Sequence, residues 1–519
     1  MLTIDDLPDD VLLTIFDFYV FKYQDLDLLE HSEYDTKRKI ESWQLLVHVC
    51  RRWRSLVFMS PRRLNLQLFC LTGGSSRKSL DVWPAFPLVI QGHVYDSSVD
   101  DVVAELEHND RIYQIDLHCH STSHIQKLWT AIQVPFPKLT VLCLSLGDST
   151  SNLWTYRGLS YSPVLPDSFL GGSMPCLRFL TLTFIPFLRL PKVLLSATHL
   201  VKLWLLTIPH SGYISPEAMI TCLSMLTSLE ELKLQFHSPQ SSPDQESRRP
   251  PPTTRPVLPA LKTFSFKGVN EYLEELVARI DTPRLEQLLT TLFNDIDFDM
   301  PKFNEFISRT PTLGVYDQAR LIFHSGEAQI RLCQFQPEGS DHRMTEVNIL
   351  CEVSDWQFSS LAQICTLSLQ PLLTMENLYI HEGPDLPPNR TDVIENTEWL
   401  NLLRPFTAVM KLYLSKQISA RIALALQELA RGRTTEVLPA LKNVLFEGSP
   451  PSRLVQESIA QFISARRLAD HPVTTFVRNR DLARDVSPSG RQYISASATG
   501  MSKLRFRLSS MFPVVENVT

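Results

Sequence analysis

The densest grouping of metal-capable side chains in this sequence is His118, Cys119, His120 and His124, at and just beyond the end of the strand-like run IYQIDLHC. Alternation along a strand puts His118 and His120 on one face. That is the arrangement two imidazoles need to share an ion, but a structural zinc site wants four ligands in closed tetrahedral geometry. The sequence offers no complementary cluster to complete one. Residues 294 to 299, NDIDFD, begin like a calcium loop, yet Met300 stands where the sixth-position glycine belongs and Phe306 where the glutamate at twelve belongs. No phosphate-cradling glycine loop, nucleophile elbow or HExxH helix appears, and only 17 glycines serve the chain. The expectation is a non-enzyme, with no catalytic residue, no metal and no cofactor.

The elements that would carry any other activity are read from composition and pattern. With 519 residues, 44% hydrophobic and 20% charged, the chain has material for a sizeable core and, on length alone, for about three domains. A net charge of -6 does not favour nucleic acid or an anionic membrane. Arg51, Arg52, Arg54, Arg62 and Arg63 make one basic neighbourhood, but no aromatic platform is interleaved with them, and such arginines are usually solvated. The nine cysteines are an odd number without a CxxC pair, so they read as reduced thiols in cytosol or nucleus. The acidic N-terminus carries no basic region or uninterrupted apolar core, and Val11 to Phe21 is broken by Asp17 and too short to span a bilayer, so neither signal peptide nor membrane span is expected.

Residues 4 to 63 form two or three short amphipathic helices. Pro8 suits an opening turn, and Asp5, Asp6, Asp9 and Asp10 sit at the positive end of the first helix dipole. Leu7, Val11, Leu12, Ile15, Phe16 and Tyr19 recur at helical spacing. Ser42 is a candidate N-cap for a second stretch in which Leu46, Val49, Cys50, Trp53, Leu56 and Val57 share a side. So small a unit cannot bury this much apolar surface within itself. The run Leu7-Pro8, Val11-Leu12, Ile15-Phe16, then Val49-Cys50-Arg51-Arg52-Trp53 and Leu56-Val57, resembles the signature of an F-box. The resemblance implies docking onto the Skp adaptor of a cullin-RING ubiquitin ligase, with Leu7, Pro8, Leu12, Ile15, Val49, Cys50 and Trp53 at adaptor-facing or core positions. Residues 22 to 41 separate the first two helices by more than a compact F-box usually allows. The alternative is a helical cap on a larger domain.

After Pro61, Leu64, Leu66 and Leu68 alternate with polar residues as in a strand, and 64 to 109 reads as a connecting region. From about residue 110 to 470 the unit Leu-x-x-Leu-x-Leu recurs: PKLTVLCLSL, PCLRFLTLTF, THLVKLWLL, TSLEELKLQF, PALKTFSFKG, TMENLYIHEG, TAVMKLYLSK and PALKNVLFEG. Helix-start signals fall between them at Ser215-Pro216-Glu217, Asn270 and Ser452. Strand, loop and helix at such a period predict an α/β solenoid of parallel strands and helices, similar to the leucine-rich repeats that often follow an F-box, but irregular, because the spacing varies and the usual asparagine is absent. Between 310 and 370 the repeat fades, with GEAQIRLCQF and TEVNILCEV as extra strands. A mixed α/β domain without a solenoid is the competing architecture.

Side chains between the strand leucines would face a concave recognition surface. They include Thr181, Thr183, Trp204, Lys233, Gln235, Ser265, Lys267, Tyr379, His381, Tyr413, Ser415 and Glu447, with Trp204, Lys233, Lys267, Tyr379, His381 and Tyr413 the candidate substrate contacts. Residues 237 to 259, rich in proline and serine, predict a mobile loop, and 471 to 519 a weakly ordered tail. The implied partners are the Skp adaptor and an unknown target protein, and the alternative function is a ligase-independent binding scaffold.

Overall fold

The computed structural model describes residues 4–21, 43–71, 85–147, 164–166, 168–186, 193–239, 255–293, 298–314, 316–334, 343–351, 354–383, 395–430, 432–447, 451–478 and the short strands 482–486, 492–496 and 501–502. It divides into two compact units, Met1–His237 and Ser238–Thr519.

In the first unit, α1 (Asp9–Phe21), α2 (43–49) and α3 (Arg51–Met59) precede the sheet. Pro8 closes the opening turn, its carbonyl accepting from Leu12 N at 3.1 Å. The second helical stretch is broken at Cys50, which is fully extended (φ -156°, ψ 171°) and whose Sγ accepts from Trp53 N at 3.4 Å as the N-cap of α3. Ser42, expected to cap α2, and the separating segment 22–41 lie outside the described residues. Three of the arginines of the basic neighbourhood, expected to be solvated, tie the helices together. Arg52 pairs with Asp9 at 2.6 Å and donates to Leu7 O, Arg54 donates to Val47 O at 2.9 Å, and Arg63 donates to Thr14 Oγ1 at 3.1 Å.

Seven strands follow: β1 (Leu68–Leu71), β2 (Leu88–Val94), β3 (Ile112–Cys119), β4 (Val141–Leu146), β5 (Phe179–Thr183), β6 (Lys202–Ile208) and β7 (Glu231–Phe236). They pair in chain order and all in parallel. The 64–109 region is therefore no connector: β1, β2 and the helix α4 (Val99–Leu106) are the first part of the ladder. The strand expected from Leu64 starts only at Leu68, since 61–65 turn and Asn65 adopts a positive φ of 46°. The leucines align in two transverse rows, Leu142–Leu180–Leu203–Leu232 and Leu144–Leu182–Leu205–Leu234, all buried. Parallel strands need a crossover between them. Here it is supplied by α4, α5 (Thr122–Ala131), α6 (Pro216–Leu223) or irregular segments. Ser215 caps α6 as expected, accepting from Ala218 N with Pro216 in the first turn.

The second unit holds β8 (Thr263–Gly268), β9 (Gln287–Phe293), β10 (Gln318–Phe323), β11 (Glu327–Cys333), β12 (Met344–Leu350), β13 (Asn377–Glu382), β14 (Lys411–Leu414), β15 (Asn443–Glu447) and β16 (Thr474–Arg478). Their spatial order is β8-β9-β12-β11-β10-β13-β14-β15-β16. Among these nine strands every pairing is parallel except those of β11, which runs against both neighbours. The reason lies in chain length: residues 324–326 are far too few for a parallel crossover of about a dozen residues, so β10 and β11 close as a hairpin. Of the extra strands expected between 310 and 370, GEAQIRLCQF contains β11 and TEVNILCEV most of β12, while β10 was not among them. Helices α7 (Asn270–Val277), α8 (Pro301–Arg309), α9 (Ser354–Leu367), α10 (Asn396–Leu403), α11 (Lys416–Leu429) and α12 (Arg453–Leu468) complete the unit. Asn270 is the first helical residue of α7, not its cap, which is Val269.

Most of the proline-rich loop, 240–254, falls outside the described residues, but its end does not behave as a mobile loop. Leu258 is buried, Leu258 N donates to Asp281 O, Asp281 N to Pro256 O, and Arg255 Nε to Ala278 O at 2.8 Å. Of the tail, 474–478 belong to β16, and 482–486 pair antiparallel with 492–496. Residues 501–502 pair antiparallel with 477–478 of β16; apart from these and 471–473, the rest of the tail, like the run 294–297, lies outside the described residues. No helix among the described residues is long and apolar enough to cross a membrane.

Candidate functional site

Two kinds of surface emerge: an apolar one on the N-terminal helices and a polar, aromatic one on the open sheet faces. Helix α1 is apolar on two sides. Leu12, Leu13 and Phe16 are buried, with the Phe16 ring 4.7 Å from that of Trp53. Val11, Ile15 and Phe18, which recur at i, i+4 and i+7, are exposed, Phe18 to 78% and Ile15 to 42%. On α2, Leu45 and Val49 are exposed as well, Val49 to 59%, whereas Trp43, Leu46 and Val47 are buried. Trp43 anchors the helices to the sheet, donating from Nε1 to Gln67 O at 3.2 Å and meeting Phe86 edge-on.

This sorts the seven residues expected at the helical module. Ile15 and Val49 are accessible, Pro8 is exposed and Leu7 half-buried. Leu12 is 0% exposed and so belongs to the core, where it cannot touch an external partner. Cys50 is a helix cap, and Trp53 is half-buried against Phe16. Phe18 is not among the seven: its spacing from Val11 and Ile15 is legible in the sequence, but that it stays exposed is settled only by which face of α1 is buried.

The histidine-rich run of the first unit is divided by the pleat. Cys119 is buried on the leucine side, where burial pushes its thiol up to about 12. His118 and His120 lie on the other side beside His93 of β2, whose Nδ1 is 3.1 Å from His120 Nε2. The His93 ring stacks on those of His118 and His120, and Tyr95 stacks on His120 at 4.8 Å. His118 Nδ1 is 2.5 Å from Ser145 Oγ. His124 is elsewhere, buried on α5 with Nε2 2.8 Å from Asp96. Among the described residues no group of three or more histidine, cysteine, aspartate or glutamate side chains is placed to hold a metal ion.

Trp204 and Lys233 are brought together, facing each other in register on β6 and β7 with Lys233 Nζ 3.6 Å from the indole centroid. Glu231 holds both flanking lysines, Lys233 at 3.0 Å and Lys202 at 3.4 Å. The Trp204 Nε1 is buried with no hydrogen-bond partner among the described residues. In the second unit Tyr379 and Tyr413 stack in register at 4.0 Å and 9°. Tyr413 is only 5% exposed, so Tyr379 is the accessible ring. His381 Nδ1 pairs with Glu447 Oε2 at 3.3 Å. Lys267 lies on β8, at the other end of this strand order, where burial lowers its pKa. Between Lys267 and Tyr379 lie residues the repeat pattern gave no reason to name, Arg320, Gln329, Arg331, Glu346 and Asn348 of the hairpin strands β10 to β12. Their polar-apolar alternation was the available signal.

No family model and no curated protein matches the sequence. Among solved structures, one similar chain is the leucine-rich repeat-containing protein LegL7 from Legionella pneumophila, 10% identical, with a TM-score of 0.26 over 76% of this chain and 97% of that one. A likeness of that size carries no argument. The repeat-like character of the two units rests on their own strand register and leucine rows.

Proposed function

We propose that the chain is a non-catalytic substrate-recognition subunit of a Skp-cullin-F-box ubiquitin ligase, its N-terminal helices docking the Skp adaptor and its repeat units binding a target protein. The observation that carries this reading is the second apolar face of α1, Val11, Ile15 and Phe18, with Leu45 and Val49 on α2. Helices that merely capped the sheet would need one apolar face, and that need is already met by Leu12, Phe16, Trp43 and Leu46. A further exposed stripe marks a protein interface. The resemblance of the residues from Leu7 to Val57 to an F-box supports the Skp adaptor as that partner. Catalysis in such an assembly is proximity, the receptor holding a target's lysine near the ubiquitin carrier on another subunit.

The test is co-expression with the Skp adaptor followed by size-exclusion chromatography of wild type and an Ile15→Asp/Phe18→Asp double variant. A one-to-one complex formed by the wild type and lost in the variant, with the variant's melting curve unchanged, is the expected result. A wild-type chain that elutes alone and folded would favour the ligase-independent scaffold.

A further inference from the structure

The knuckle that closes the N-terminal helices has the sequence Met59-Ser60-Pro61-Arg62-Arg63. Of the serine–proline pairs in the chain, this one alone is followed by two basic residues. Pro61 has no N–H with which to continue α3, so the helix stops at Ser60, its C-cap. The Ser60 carbonyl accepts from Leu64 N at 3.1 Å, which makes residues 60 to 64 one further turn. Met59 is 79% exposed, Arg62 and Arg63 are exposed, and Ser60 and Pro61 are half-buried. Among the described residues Ser60 Oγ takes part in no hydrogen bond and Arg62 in no ion pair. Arg63 crosses to α1 and lies along one side of it, donating to Thr14 Oγ1 at 3.1 Å, with Asp10 at 3.7 Å and Asp17 at 3.8 Å. Other hydroxyls followed by proline are otherwise engaged: Ser215 Oγ caps α6, and Thr282 and Thr310 are buried.

We propose that Ser60 is a phosphorylation site for a proline-directed protein kinase, and that its phosphate draws Arg63 away from α1. The γ-phosphorus of ATP forms a bond to Ser60 Oγ as its bond to the bridging oxygen of ADP breaks, and the hydroxyl proton passes to the general base of the kinase. Two features select this class of enzyme. Pro61 presents no main-chain N–H, which suits a pocket with no acceptor for one, and Arg63, three residues on, gives the enzyme a cation to pair. The phosphate brings about 1.5 to 2 negative charges to the C-terminal end of α3, where the helix dipole opposes an anion. It is therefore driven towards a guanidinium. Ser60 and Arg63 stand at i and i+3 of one turn, on the same side. A phosphate held by paired, charge-assisted bonds outcompetes the carboxylates of Asp10 and Asp17, whose separations from Arg63 exceed hydrogen-bond length. Helix α1 then loses its contacts along Asp10, Thr14 and Asp17 and keeps the Arg52–Asp9 pair. Loosening the helix that carries Val11, Ile15 and Phe18 would switch adaptor docking, and that consequence alone rests on the ligase reading.

The full chain is incubated with ATP, Mg2+ and a recombinant proline-directed kinase that favours a basic residue three positions after its acceptor, and the product is mapped by mass spectrometry. Phosphate is expected on Ser60. It should be absent from this site in Ser60→Ala and also in Pro61→Ala, which keeps the hydroxyl. Amide exchange of α1 should quicken about twofold to fivefold in the phosphorylated chain, the span expected for exposed ion pairs, and return to its starting rate after phosphatase treatment. Unphosphorylated Arg63→Gln should show the same quickening. Transfer to Ser238 or another serine–proline pair but not to Ser60 would overturn the proposal, and so would phosphorylated Ser60 with α1 exchange unchanged. A melting curve shows whether each variant is folded. Both readouts are taken without the Skp adaptor, so a chain that passes them and binds no adaptor refutes the ligase reading and not this one.

Discussion

Arg466 of α12 is the sharpest test of how the second unit holds its irregular loops. Its side chain is fully buried without an acid partner among the described residues, and it donates to four carbonyls of the segment before β15. These are Thr434 and Pro439 at 3.0 Å, Leu441 at 3.2 Å and Leu438 at 3.4 Å. Arg466→Met keeps most of the volume and removes all four bonds. The Leu438 carbonyl retains a partner in Leu441 N, and the half-buried Thr434 and Pro439 carbonyls can take water. Only the Leu441 carbonyl is then stranded. Stranding it costs about 1–3 kcal/mol, and the other three bonds contribute about 0.5–1.5 kcal/mol each. Relief of the guanidinium's own desolvation offsets part of that sum, leaving about 2–5 kcal/mol. Because a chain of two units need not unfold in one step, the measurement is native-state hydrogen exchange. Amides of β15, β16 and α12 should lose protection by that amount, while β2 to β6 in the first unit stay unchanged. Arg466→Lys should not rescue, since one ammonium cannot span the four acceptors. A loss of under about 0.5 kcal/mol, the range of an ordinary surface change, would refute the assignment of Arg466 as the organiser of this loop.

Two further outcomes follow from burial. Leu12→Ala should destabilise the N-terminal helices by about 2–5 kcal/mol, whereas Phe18→Ala should stay within about 0.5 kcal/mol, a contrast read by circular dichroism melting. The thiols of Cys70, Cys119 and Cys143 are pushed up from 9.0 to about 12 by burial. The folded chain thus keeps protons that the unfolded chain sheds above pH 9, so their contribution to stability is intact below that pH and is lost as pH rises from about 9 to 12. Urea midpoints across that window should fall steadily, and exposed Cys176 should react with an alkylating reagent at pH 8 well before these three.

The leucine spacing, the helix start at Ser215 and the strand-like reading of IYQIDLHC were legible in the chain, because period and cap chemistry are local properties. Trp204 with Lys233, and Tyr379 with Tyr413, could be named from alternation alone, since residues between buried leucines must face the other way. The pairing of each with its neighbour could not, because register across strands depends on loops of unequal length. Nor could the reversal of β11, which was legible as a strand but not in its direction, and which alone brings Glu346 beside Arg331 and not Arg320. The N-terminal helices draw the same line. Sequence determined that Leu12, Ile15 and Phe16 are apolar at helical spacing, a matter of residue type and a period of 3.6. Which of them the protein buries was decided by where Trp43, Trp53 and Phe86 pack. A helix with apolar residues on two sides carries no mark of its own to say which side the rest of the chain will cover.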